Sequence, residues 1–194
     1  MAGLQASLTH FLEIIMALLA EEIVEEWLNQ QGYFTIRGIK LGVQEIDLLA
    51  VKYLENGSVE CRHIEVQASI RPVSYISRVP VAVQKETGRA PNSAKRSDDE
   101  LVSGVAEWVQ KKFLHPRKVA IKTKLWPGAW SQELVVNNVK SDRELELIAS
   151  HGIKLYKLTD VVRELESKSL FTAAGADFVD LILMGATQKV HDDR

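Results

Sequence analysis

Apolar residues recur at helical spacing near the start of the chain: Leu8, Phe11, Leu12, Ile15, Leu19, Ile23, Trp27 and Leu28 share one stripe, and Gly32 stands where a C-terminal cap belongs. The pattern predicts a long helix over residues 7–31. The period then changes. Tyr33 to Arg37 reads as a short strand, and residues 45–54 and 59–68 read as two strands joined around Asn56-Gly57, a dipeptide that marks hairpins between alternating apolar runs. Ser97-Asp98-Asp99-Glu100 is a capping box opening a helix to about Phe113, and Pro116 punctuates the chain before an expected strand from Lys118 to Leu125. Glu133 to Val139 alternates as a strand, and Ser141-Asp142-Arg143-Glu144 is a second capping box for a helix ending near Gly152. A strand over 153–158 and helices over 160–167 and 172–185 complete the pattern, the last helix carrying Phe178, Leu181, Ile182 and Met184 on an apolar face. The order αβββαβ, extended by βαβαα, predicts an α/β fold with a mixed central sheet and extra C-terminal helices.

Two strands of this pattern carry acids where packing alone would choose Val or Ile: Gln44-Glu45-Ile46-Asp47-Leu48-Leu49-Ala50 and His63-Ile64-Glu65-Val66-Gln67. A bare buried carboxylate is expensive, so such acids call for a cation or a donor. The turn decides whether they meet. With Asn56-Gly57 as a two-residue loop, Asp47 would oppose Val66 and the two carboxylates would point to opposite faces. A three-residue loop, Glu55-Asn56-Gly57 with a left-handed Gly57, puts Asp47 opposite Glu65. It also sets Lys52 against Glu60, Ile46 against Val66 and Leu48 against Ile64, pairings that cross-strand energetics favour. This register is the expected one. Directly opposed Cβ atoms lie about 4.5–5.5 Å apart, close enough for two carboxylates to share one divalent ion.

Composition narrows the rest. A chain of 194 residues, 46% hydrophobic and 26% charged, has material for one well-cored domain with an appendage. The lone cysteine, Cys61, excludes an intrachain disulfide and reads as a small buried hydrophobe; five scattered histidines offer no zinc pattern. The apolar run from Leu8 to Ala20 contains Glu13, lacks a basic leader and is short for a bilayer, so a cytoplasmic protein with no membrane partner is expected. A formal charge of -2 argues against coating nucleic acid non-specifically but leaves room for a basic patch. Residues 69–97 hold three prolines and a run of basic residues with Glu86 as their only acid, a long loop of the sort that is functional or disordered. Trp108, Trp126 and Trp130 read as packing residues, and His63, opposite Leu49, as a packed or hydrogen-bonded histidine.

Glu21 in the first helix, Gly32-Tyr33, Glu45-Ile46-Asp47-Leu48 and Glu65-Val66-Gln67 together resemble the PD-(D/E)xK, or restriction endonuclease-like, nuclease superfamily, whose members share an αβββαβ core. The resemblance covers residues 17–70 by motif and extends to about 125 by element order. It implies a nuclease domain over 1–168 and a helical appendage over 169–194 available to a partner or to a homodimer. It also implies hydrolysis of DNA phosphodiester bonds with Mg²⁺ or Mn²⁺, in restriction, defence or repair. Carried across by position, Asp47 and Glu65 hold the metal, with the Val66 carbonyl as a third donor, and Glu21 assists. Gln67 stands where the family's lysine would be, as in certain restriction endonucleases. An amide can position water but neutralises no charge, so the missing positive charge falls to a second metal held with Glu21's help or to a loop residue such as Arg71 or Lys85. Arg71, Lys85, Arg89, Lys95 and Arg96 are the expected contacts to DNA phosphates. The alternative is a catalytically inactive protein of the same fold that binds nucleic acid or a protein partner.

Overall fold

The first apolar stripe folds as α1 (Ala2–Gln30), which buries Ala20, Val24 and Leu28 completely. It closes with the Gly32 N–H donating to the Asn29 carbonyl and the Tyr33 N–H to that of Leu28, which satisfies carbonyls the helix end would leave unpaired. The computed structural model describes residues 2–69 and 71–167, so the helix expected over 172–185 and the appendage of 169–194 lie outside the described residues.

Five strands follow in a sheet whose spatial order equals their chain order: β1 (Phe34–Leu41), β2 (Gln44–Tyr53), β3 (Val59–Gln67), β4 (Trp130–Val136) and β5 (Lys154–Lys157). The first three run antiparallel and β3, β4 and β5 run parallel, giving the expected mixed sheet in an α/β fold. One face packs on α1 and on α6 (Leu158–Ser167), burying Leu48, Ala50, Ile64, Val135 and Val162. The other packs on α3 (Asp98–Lys112) and α5 (Asp142–Ser150) through Val105, Val109, Leu134 and Ile148. Each face is apolar because strand side chains alternate between the two layers.

The hairpin takes the three-residue loop. Leu54 N–H donates to the Ser58 carbonyl, Gly57 N–H to the Leu54 carbonyl, and Gly57 sits at φ +79°, a conformation that an L side chain would strain. Lys52 accordingly pairs with Glu60, Leu49 with His63 and Leu48 with Ile64. The expected Lys52–Glu60 charge pair does not form, because each charge has a closer partner: Lys52 Nζ donates to the Gln31 carbonyl at 2.6 Å and Tyr33 Oη donates to Glu60 at 2.7 Å.

Three expectations give way. Residues 118–125 are helical, within α4 (Pro116–Leu125), where Pro116 starts a helix instead of ending one; His115 caps it by accepting from the Arg117 N–H. The loop of 69–97 contains a short helix, α2 (Val81–Thr87), so the stretch is folded. The second capping box is only half made. Ser141 Oγ accepts from the Glu144 N–H, but the buried Glu144 carboxylate turns away to take the N–H groups of Ile76 and Ser77 at 2.6 and 2.8 Å, and so pins that loop to α5. In α3 both halves of the box, Ser97 and Glu100, are present.

Candidate functional site: a parted strand pair with two acids

The ladder between β2 and β3 stops at Leu48–Ile64, one step short of Asp47 and Glu65. Beyond it β2 pairs only with β1, and β3 only with β4, so the sheet forks with one acid on each prong. The expected direct pairings of Asp47 with Glu65 and of Ile46 with Val66 are lost to this fork. Asp47 Oδ2 accepts the Val66 N–H at 2.8 Å, satisfying a backbone donor that the parted ladder leaves facing β2. Val66, expected as a carbonyl donor to metal, is thus tied to Asp47 through its nitrogen.

Glu65, 1% exposed, is held by two ammonium groups and an imidazole. Its Oε1 accepts from Lys118 Nζ at 2.7 Å and lies 3.0 Å from His63 Nε2; its Oε2 accepts from Lys112 Nζ at 2.6 Å. Lys112 Nζ is also 3.9 Å from Asp47 Oδ2, so one ammonium reaches both acids. The lysines gather around the C-terminal end of α3. Lys112 closes α3, while Lys118 and Lys122, one turn apart on α4, point back at the end of α3 and donate to the carbonyls of Lys112 and Phe113.

The electrostatics separate the two acids. Burial alone would raise the Glu65 carboxyl, but the His63 hydrogen bond and the charges of Lys112 and Lys118 outweigh it and hold the pKa at about 2. Asp47 is pushed up to about 7, first by burial and then by Glu65, which Lys112 and the Val66 N–H only partly offset. Glu21 is raised by partial burial and by Glu45 and Glu65, against the pull of Arg37 and Lys112, which marks it as an electrostatic neighbour of the pair. His63, wholly buried, is lowered to about 4 by desolvation. The hydrogen-bond network then assigns a neutral ring whose Nε2–H donates to Glu65 and whose Nδ1 accepts from Lys122 Nζ at 3.2 Å. Lys112 is held above its ordinary value: burial works against the charge, but Glu65 and Asp47 prevail.

Beside the acids opens a cleft of about 490 Å³ to which Gln67 and Lys112 both contribute. Its cations are Arg78, Lys111 and Lys112, and none of the five basic residues expected to contact phosphate lines it. Two of those five are committed elsewhere. Arg89 pairs with Glu100 and donates to the Lys95 carbonyl, while Arg96 lies 4.4 Å over the Tyr75 ring and donates to Ser77 Oγ at 3.1 Å. Arg71, Lys85 and Lys95 are exposed. Trp126 meets Tyr53 edge-on and Trp130 donates to the Trp126 carbonyl, so both pack as expected; Cys61 is buried and free. Sequence reasoning missed Lys112, Lys118 and Lys122. The Lys118/Lys122 spacing places both on one side of a helix only once Pro116 is taken as its first residue, which the local sequence does not decide, and Lys112 carried no signal.

The two carboxylates are hard oxygen donors of the kind that Mg²⁺ takes. Asp47 and Glu65 share one ammonium, and Asp47 is shifted upward first by burial and then by the charge of Glu65. Among the described residues no three His, Cys, Asp or Glu side chains are grouped to hold a metal ion.

No family model matches the chain, and no curated protein matches it. Among solved structures it is similar to the crystal structure of a protein of unknown function, AF1548, at 18% identity and a TM-score of 0.43, over 80% of this chain and 68% of that one. No helix among the described residues is long and apolar enough to cross a membrane.

Proposed function

We propose that this chain is a metal-dependent deoxyribonuclease of the restriction endonuclease-like, PD-(D/E)xK type, hydrolysing phosphodiester bonds at the fork between β2 and β3. The observation that carries this reading is that one cation, Lys112 Nζ, reaches both Asp47 and Glu65 and also lines a basic cleft. Asp47 and Glu65 would hold Mg²⁺ or Mn²⁺, which neutralises charge on the phosphoryl oxygens and makes a bound water acidic. The remaining roles belong to the chain. Lys118 and His63 keep Glu65 ionised and fixed, as buried donors that a carboxylate at this depth requires. Lys112 supplies the charge that Gln67 lacks: it turns from the carboxylates to the scissile phosphate, where a preorganised ammonium stabilises the transition state. Gln67, on the same side of β3 as Glu65, positions the attacking water with its amide.

Purified protein incubated with DNA and Mg²⁺ or Mn²⁺ is expected to cut it, and Asp47→Ala to abolish cutting while leaving the circular dichroism spectrum intact. A second reading, a non-catalytic relative that binds nucleic acid or protein, draws on the occupation of both Glu65 oxygens by Lys112, Lys118 and His63. Failure of Mn²⁺ to bind in a paramagnetic titration, together with absence of cleavage, would decide for it.

A further inference from the structure

The cleft beside Lys112 has a shape and a lining that select among nucleic acids. One wall is a single face of α3, where Gly104, Trp108 and Lys112 follow each other at four-residue intervals and span about 12 Å. The other wall is the loop carrying Arg78 and the start of α2 with Gln84. That loop is rigid by construction, since the Glu144 carboxylate holds the N–H groups of Ile76 and Ser77, and Arg96 holds Ser77 Oγ. At Gly104 the two walls meet, the loop backbone packing directly on the helix: a Cβ there would lie 2.6 Å from the Arg78 carbonyl oxygen.

The charge of the lining is one-sided. Arg78, Lys111 and Lys112 are faced by a single acid, Glu107, and both of its oxygens lie at the Val81 N–H, 3.2 and 3.1 Å away. Trp108 is half-buried, braced edge-on by Phe113 at 5.8 Å, and borders the space between these cations. Cations that track a backbone around an aromatic side chain are the ingredients of a single-strand site. A cleft of about 490 Å³ admits a nucleotide or so, and in a duplex the bases are stacked inside the helix and reach such a space only when flipped out.

We propose that the cleft binds an unpaired stretch of DNA strand, with one base against Trp108 and its phosphates on Arg78, Lys111 and Lys112, leading the strand to the acids at the fork. This deepens the nuclease reading by naming its substrate as single-stranded DNA or the unpaired arm of a branched molecule, and it rests on that reading for the position of the reacting phosphate.

The test is fluorescence anisotropy of a labelled oligothymidylate and of a blunt duplex of the same length, with the full chain in EDTA, followed by cleavage of both in Mg²⁺. The expected result is binding of the single strand about ten-fold tighter than the duplex. Trp108→Ala should weaken it about ten-fold, Trp108→Phe much less, and Arg78→Ala should lower the slope of affinity against salt by about one counterion. Arg78 is exposed, so its variant answers the question even if loss of Trp108 disturbs the Phe113 packing. Equal or tighter duplex binding, or unchanged single-strand binding in both the Trp108→Ala and Arg78→Ala variants, overturns the inference. Cleavage with no single-strand preference overturns it and leaves the hydrolase intact; single-strand binding without cleavage supports it and removes the hydrolase.

Discussion

At the scale of single residues, the two acids are a study in how neighbours decide charge. Glu65 is ionised at any ordinary pH, and Asp47 titrates near neutrality. His63 and Asp47 consequently oppose each other in the response of stability to acid. Between pH 6.5 and about 4 an unfolded His63 takes a proton that the folded one refuses, so folding loses stability as pH falls through that window. Between about 7 and 3.8 the folded Asp47 binds a proton that the unfolded one releases, so folding gains stability over nearly the same window. Melting temperatures between pH 7 and 4 are expected to fall further in Asp47→Asn, where His63 is no longer opposed by Asp47, than in His63→Gln, whose amide can keep both hydrogen bonds; parallel profiles in the two variants would contradict the assignment. The division of labour between Lys112 and Gln67 is testable in the same spirit. Lys112→Gln should reduce the cleavage rate about a hundred-fold, as loss of a preorganised charge does. Gln67→Lys should retain or raise activity and partly rescue that loss, read out by gel assay under single-turnover conditions. A Gln67→Lys substitution that restores none of the activity lost in Lys112→Gln would place this amide away from the phosphate.

Elements show where the amino-acid pattern speaks and where it is mute. The hairpin was legible because three facts agree: a Gly that can adopt positive φ, a loop length, and the pairings of Lys52 with Glu60 and Leu48 with Ile64. α4 was not, because a proline breaks a helix from inside and begins one from outside, and local sequence does not say which. The basic loop was legible only in part for a related reason. Arg89 and Arg96 carry the charge a phosphate contact would, and only the tertiary placement of Glu100 and Tyr75 reveals that they brace the loop. The two acids could be recognised from their burial pattern; the lysines that answer them, distant in sequence, could not. On α3, Gly104 is the position most sensitive to a single methyl group. Gly104→Ala should destabilise the fold by about 1–3 kcal/mol by urea denaturation, since the atom met is backbone and the loop is anchored on both sides of it. A neutral or stabilising effect would mean that the loop yields.

For the whole molecule, the sheet serves as a partition between two apolar cores, α1 with α6 on one side and α3 with α5 on the other. Its acids lie where the ladder between the first two strand pairs comes apart. Each prong of the fork is anchored by its own outer neighbour, so their separation is set by the fold and not by the acids' mutual repulsion. A ligand that relieves this repulsion must therefore stabilise the native state by mass action. Millimolar Mn²⁺ at pH 8, where Asp47 is ionised, is expected to raise the melting temperature of the wild type and leave that of Asp47→Asn unmoved. An equal rise in both would assign the effect to ion binding elsewhere.

The buried ammonium groups of α4 carry a last consequence, for lineage rather than chemistry. Lys118 and Lys122 reach Glu65 and His63 because they sit one turn apart, and an insertion between them would swing one of the two by about 100° around the helix, away from its partner. The stretch from Pro116 to Lys122 should therefore hold a constant length among descendants of this gene, whereas the exposed Pro127–Gly128 bend just after it can lengthen or shorten freely.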